Sequence, residues 1–135
     1  PDVSSVDAFK RTLLDAGSIP YAPAGASGIA FVAIAERLGI AAEIAAKTRP
    51  GANGQAVGAN VASGAAELGV LPISEILPVQ GAELGGAFPA DVQTYVVMVA
   101  GIGARSAQRS VAADLIAFLH APGNAAVIRA KGMEP

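Results

Sequence analysis

The sequence predicts an α/β domain built on an open, largely parallel sheet flanked by helices, and three observations carry that expectation. Short apolar runs with strand character alternate with segments of helical period, the pattern of βαβ units. The composition is 53% hydrophobic but only 4% aromatic, so Ala, Val, Ile and Leu must build the core, which suits helices lying close against a sheet. A length of 135 residues is that of one ordinary domain, enough to bury a real core.

The elements follow in order. Ser4 or Ser5 can cap a first helix, with Asp7 three residues after Ser4 and an apolar stripe of Val6, Phe9, Leu13 and Leu14, and Gly17 ends it. Ser18–Ala22 reads as a strand entering the turn Pro23-Ala-Gly-Ala-Ser-Gly28. A second helix runs from Ser27 to about Leu38, with Ile29, Phe31, Val32, Ile34, Ala35 and Leu38 inward and Gly39 as its stop. Ile40–Ala46 adds a short helix and Lys47–Arg49 a short strand. Pro50–Gly54 is a loop, Gln55–Ala62 a helix closed by Ser63-Gly64, and Leu68–Leu71 a strand ended by Pro72. Ile73–Leu77 is one helical turn, and Pro78–Pro89 is irregular or edge strand. Thr94–Ile102 is the strongest strand, β-branched and apolar nearly throughout, so both of its faces are expected to be buried. Helices over Ala107–His120 and Gly123–Ala130 follow, separated by Pro122.

Several function classes are excluded or disfavoured by composition. The net charge is -2 and the nine Lys and Arg are scattered, so no basic face is visible for nucleic acid. Without cysteine there are no disulfides, thiolate metal sites or Cys nucleophile, and one histidine is too few for a His-based metal site. No cofactor is implied. The longest apolar stretches are too short and too interrupted by glycine to span a bilayer. The chain starts at Pro1 instead of Met, and is expected to be a processed protein or a fragment.

Binding chemistry concentrates at three turns that each follow a predicted strand. At Ala26-Ser27-Gly28 the first N–H groups of a helix, its dipole and the Ser27 hydroxyl form an anion site, or Ser27 is an ordinary N-cap. Asn53 and Gln55 after Pro50-Gly51 can present amides to a ligand, or Asn53 caps the next helix. Ile73-Ser74 with Glu75 is the third turn, where Ser74 is a ligand contact or a further cap. In open parallel sheets ligands sit beyond the carboxyl ends of the strands, and that is where all three turns are placed. No catalytic residues are assigned. His120 is expected at a helix C-terminus, no nucleophile elbow is present, and an N-terminal proline base of the tautomerase kind has only Pro1 to support it.

The order of motifs resembles the C-terminal portion of bacterial periplasmic substrate-binding proteins of the molybdate-binding type. The resemblance runs over essentially the whole chain. It is carried by Ser18-Ile-Pro-Tyr-Ala-Pro-Ala-Gly-Ala-Ser-Gly28, Glu36-Arg-Leu-Gly-Ile40, Gly64-Ala-Ala-Glu-Leu-Gly-Val70, Ile73-Ser-Glu-Ile-Leu-Pro78 and the ending Lys131-Gly-Met-Glu-Pro135. It implies two α/β lobes closing over a ligand, with residues 1–91 as most of the second lobe. Residues 92–104 would be the crossing strand, and 105–135 helices that pack on an absent first lobe or on a second copy of the chain. It further implies a periplasmic, non-enzymatic component of an ABC-type uptake system that works with a membrane permease. Its ligand contacts would be Ala26, Ser27, Gly28, Asn53, Ile73 and Ser74. Ile73 and Ser74 stand where the molybdate binders usually place a tyrosine, which points to a small anion or organic acid instead of molybdate. An enzyme or ligand-sensing domain on the same scaffold is the alternative.

Overall fold

The computed structural model describes residues 1–135 and divides into two compact units, 1–96 and 97–135. In the first, α1 spans Val6–Asp15, α2 Ala26–Arg37, α3 Ala41–Lys47, α4 Gly54–Ala62 and α5 Ile73–Ile76. The second holds α6 (Arg109–Leu119), a 3₁₀ turn over Pro122–Asn124 and α7 (Ala125–Ala130).

Local chemistry explains the helix ends. Ser5, not Ser4, caps α1: its Oγ accepts the Ala8 N–H at 3.2 Å, while the Ser4 hydroxyl donates to Asp2 at 2.7 Å. Helix α2 stops in a Schellman arrangement. Gly39 takes φ 67, its N–H donates to the Glu36 carbonyl, and the Ile40 N–H donates to the Ala35 carbonyl. Gly132 at φ 76 closes α7 in the same way, through bonds from Gly132 to Arg129 and from Met133 to Ile128. Two lysines complete C-terminal ends from a distance, Lys10 on the Leu38 carbonyl at 2.9 Å and Lys47 on the carbonyls of Leu13 and Leu14.

The core of the first unit joins Phe9, Leu13 and Ala16 to Ile19, Phe31, Ile34 and Ile40, and takes in Val70 and Val92 from later in the chain. Phe88 stacks on Phe9 with ring centroids 4.8 Å apart. The expected inward face of α2 needs correction. Phe31, Ile34 and Ala35 are buried, but Ile29 is 62% and Val32 37% exposed. At about 100° per residue, Ile29 lies roughly opposite Phe31, and Val32 lies roughly opposite Ile34.

The sheet is the larger correction. No segment of the chain forms a β-strand. Residues 18–22 run between 47–51 and 66–70, all in one direction, joined by only four backbone bonds. These run from Ile19 to Lys47 (3.2 Å), Gly51 to Tyr21 (2.9 Å), Leu68 to Ser18 (3.2 Å) and Val70 to Pro20 (3.3 Å), donor first. The physical reason lies partly in Pro20. A full parallel ladder would have residue 20 donate to the Leu68 carbonyl, and proline has no N–H to give. Lys47, expected in a strand, belongs to α3. Side chains reinforce the contact between 17–18 and 66–70: Glu67 accepts the Gly17 N–H at 2.8 Å, and its own N–H donates to the Ser18 hydroxyl at 3.0 Å.

Thr94–Ile102 also departs from expectation. Its backbone makes no backbone–backbone hydrogen bond, and its side chains before Ile102 are exposed, Val99 to 89%. The boundary between the two units falls inside this segment. In the second unit no residue is buried, and Val111, Leu115, Phe118 and Leu119 of α6 all face outward. His120 is the C-cap of α6, its N–H donating to the Ile116 carbonyl. No single helix is long and apolar enough to cross a membrane.

Candidate functional site

The register of the three extended segments places the three turns. Because 18–22, 47–51 and 66–70 run in one direction, the chain leaves all three at the same edge. There it enters the 23–25 turn before α2, the 52–53 loop before α4 and the 71–72 corner before α5.

The first turn is not closed by a serine cap. Gly25 is the N-cap of α2 and no side chain bonds to the helix start. The first in-helix bond runs from the Ile29 N–H to the Gly25 carbonyl at 3.0 Å, so the amides of Ala26, Ser27 and Gly28 have no acceptor within the helix. Ser27 is half-buried and its hydroxyl is free of intramolecular bonds. This end of α2 has the positive end of the dipole, three donors and one hydroxyl, a set that can hold a desolvated anion.

Gly28 has a packing role as well. A β-carbon there would stand 2.0 Å from the Ala22 carbonyl oxygen and 2.9 Å from a Tyr21 ring carbon. The backbone that approaches Gly28 is therefore the chain's own, and Gly28 is required for packing. Tyr21 in turn sets its ring edge-on to Phe31, centroids 5.6 Å apart, which fixes the entry to the turn.

At the second turn Asn53 caps α4, its Oδ1 accepting the Ala56 N–H at 2.9 Å, so its carbonyl oxygen is committed. At the third, Pro72 is the residue before α5, and Ser74 caps nothing. Ile73 and Ser74 are half-buried. A groove of about 760 Å³ lies between α4 and α5, lined by Gln55, Ala59, Ser63, Ser74, Val79 and Gln80 among others. It includes one charged side chain, Glu75, whose Oε2 stands 2.0 Å from where a Gly54 β-carbon would be. Of the six expected contacts Ser74 alone lines this groove; the first turn does not contribute to it.

The sequence gives Gly54, Val79 and Gln80 no site role, and Glu75 reads from it as a complement to a helix dipole and as the carboxylate whose loss would test an enzyme. Nothing local distinguishes them, because the groove forms only when 54–63 and 74–80 meet. No three His, Cys, Asp or Glu side chains come together as a metal site would require. The Asp2 carboxyl, far from the turns in sequence, is held below its ordinary value by hydrogen bonds from the Ser4 hydroxyl and N–H.

Comparison with known proteins adds three findings. Residues 1–134 match the family described as bacterial extracellular solute-binding protein. An aconitate isomerase from a Pseudomonas species is 32% identical over 136 residues, an alignment spanning all of this chain and 51% of that relative. The chain thus spans about half the length of the curated relative it matches. The periplasmic molybdate-binding protein of Azotobacter vinelandii superposes with a TM-score of 0.72 over 98% of this chain and 60% of that one, at 23% identity, a likeness of fold.

Proposed function

We propose, since the chain belongs to the bacterial extracellular solute-binding protein family, that it supplies one wall of a solute site holding a small anion or organic acid. The observation that carries this reading is the shared edge. Three turns leave the same side of 18–22, 47–51 and 66–70, and the first of them offers uncapped amides and a free Ser27 hydroxyl. Ala26, Ser27 and Gly28 would take ligand oxygens through N–H and O–H donors. Ser74 would contribute from α5, and Asn53 and Ile73 would shape the neighbouring turns. No charged side chain stands in Ala26-Ser27-Gly28, so hydrogen bonds and the helix dipole would have to neutralise the ligand's charge there.

In this reading the remaining half of the protein holds a facing lobe, and residues 92–104 cross to it. The outward Val111, Leu115 and Phe118 of α6 pack on that lobe or on a second copy of the chain. Family membership supports a periplasmic place and a membrane permease as partner for the closed, loaded form. The test is thermal-shift screening of the full-length protein against oxyanions and small carboxylic acids. Ser27→Ala is expected to weaken the stabilising ligand about tenfold, as loss of a hydrogen bond to a charged group does. Equal stabilisation of wild type and variant refutes the assignment of the turn.

A second reading is an isomerase on the same scaffold. It is favoured by the relative named aconitate isomerase and by Glu75, a carboxylate facing the groove that could take a proton from one carbon and return it at another. Conversion of one aconitate isomer to the other by the full-length protein, lost in Glu75→Gln, would establish it over simple binding.

A further inference from the structure

We infer that Glu75 makes the groove selective for an organic acid carrying a hydrogen-bond donor beside its carboxylate, and disfavours a bare oxyanion. The inference rests on the reading of the second and third turns, which reach the groove through Gly54, Gln55 and Ser74, as part of the solute site.

Three features lead to it. Glu75 is the only charged side chain in the lining of the groove. Its Oε2 rests over the bare Cα of Gly54, the first residue of α4, where a β-carbon would stand 2.0 Å from that oxygen and 3.2 Å from Leu71 Cδ2. It is also unengaged. The side-chain bonds around the groove run from the Ala56 N–H to Asn53 Oδ1 and from the Ser63 hydroxyl to the Asn60 carbonyl, and Glu75 takes part in neither.

An ionised carboxylate only accepts hydrogen bonds. Facing a groove, it favours a ligand group that donates and repels a second anion brought to the same place. The rest of the wall agrees with a carbon skeleton. Ala59, Ala62 and Val79 form an apolar side, and Gln55, Ser74 and Gln80 provide neutral polar groups. A volume of about 760 Å³ is in the range of sites for organic ligands, roughly 300–1,000 Å³, and a tetrahedral inorganic anion would leave most of it unfilled. The ligand's hydroxyl or ammonium donates to Glu75, and its carbons lie against Ala59 and Val79.

Succinate, malate and aspartate share one skeleton and differ at a single carbon by H, OH and NH3+. Isothermal titration of the full-length protein with these three and with sulfate is therefore the experiment. Malate or aspartate is expected to bind at least about tenfold more tightly than succinate or sulfate, and whichever of the two wins identifies the donor. Glu75→Gln should bring that preference below about threefold while sulfate binds more tightly. Gly54→Ala puts a methyl group where the carboxylate oxygen rests and should produce the same loss with the charge retained. Glu75 is exposed, so both variants are expected to keep the wild-type circular dichroism spectrum. A preference that persists in both variants overturns the role of Glu75 and leaves the solute site standing. Failure of the wild type to bind any of the four probes overturns both.

Discussion

Replacing Gly28 with alanine is expected to destabilise the first unit by at least about 2 kcal/mol, although the same change at most helical glycines stabilises by up to about 1 kcal/mol. The sign reverses because of what the new methyl group meets. It would stand 2.0 Å from the Ala22 carbonyl oxygen and 2.8 Å from the Ala22 carbonyl carbon, both backbone atoms that cannot rotate away. Ordinary contact begins near 3.4 Å. Helix α2 would therefore have to move out by more than an ångström, and the move would loosen Phe31 and Ile34, which are buried against Ile19. Overpacking of this kind costs about 1–3 kcal/mol and occasionally more. Loosened core contacts add to that cost and the better helix propensity subtracts from it. Urea denaturation followed by circular dichroism, extrapolated linearly to water, measures the change. Gly39→Ala is the comparison: its β-carbon meets nothing within 4 Å, so it reports only the strain of φ 67, about 1 kcal/mol. A Gly28→Ala protein within about 0.5 kcal/mol of wild type would refute the close approach of α2 to residues 21–22.

The same denaturation assay separates the serine and asparagine at the other helix starts. Asn53→Ala should cost about 1 kcal/mol through loss of the cap on Ala56, whereas Ser27→Ala should change stability by less than about 0.5 kcal/mol because it caps nothing. Ser4→Ala removes the hydroxyl bond that does most to hold the Asp2 carboxyl below its ordinary value, so Asp2 should titrate at higher pH in an NMR carboxyl titration. A lowered carboxyl contributes stability above its unfolded value and loses it as pH falls through the folded value. Any destabilisation by Ser4→Ala should accordingly be present at neutral pH and fade in acid below the ordinary carboxylate range.

Much of the helical structure is legible in the sequence. Ser5 and Gly39 mark helix ends because each forms bonds to residues within five positions of itself, and those partners are present whatever else the chain does. The stripe of Phe9 and Leu13 is readable for the same reason, since helical spacing alone places them on one face. The candidate turns were legible as turns, from proline, glycine and asparagine. Less was legible of what they do. Ser27 has the residue type and the position of a cap, yet the chain begins α2 one residue after Gly25 and leaves the hydroxyl free.

Sequence and structure part where the partner is remote. The apolar run Thr94–Ile102 calls for burial, but β-branched residues do not specify what buries them, and here no backbone segment pairs with it. The strands anticipated at Ser18–Ala22 and Leu68–Leu71 are extended and adjacent, but a ladder needs matched donors from residues 50 positions apart, and Pro20 lacks one. Glu75 and Gly54 belong together only because α4 and α5 pack, 21 residues apart in sequence. Interactions that close within a helical turn depend on neighbours the chain always carries, so residue types and spacing reveal them. The shared edge, the room at Gly28 and the carboxylate over Gly54 depend on which distant segments meet, and only tertiary packing decides that.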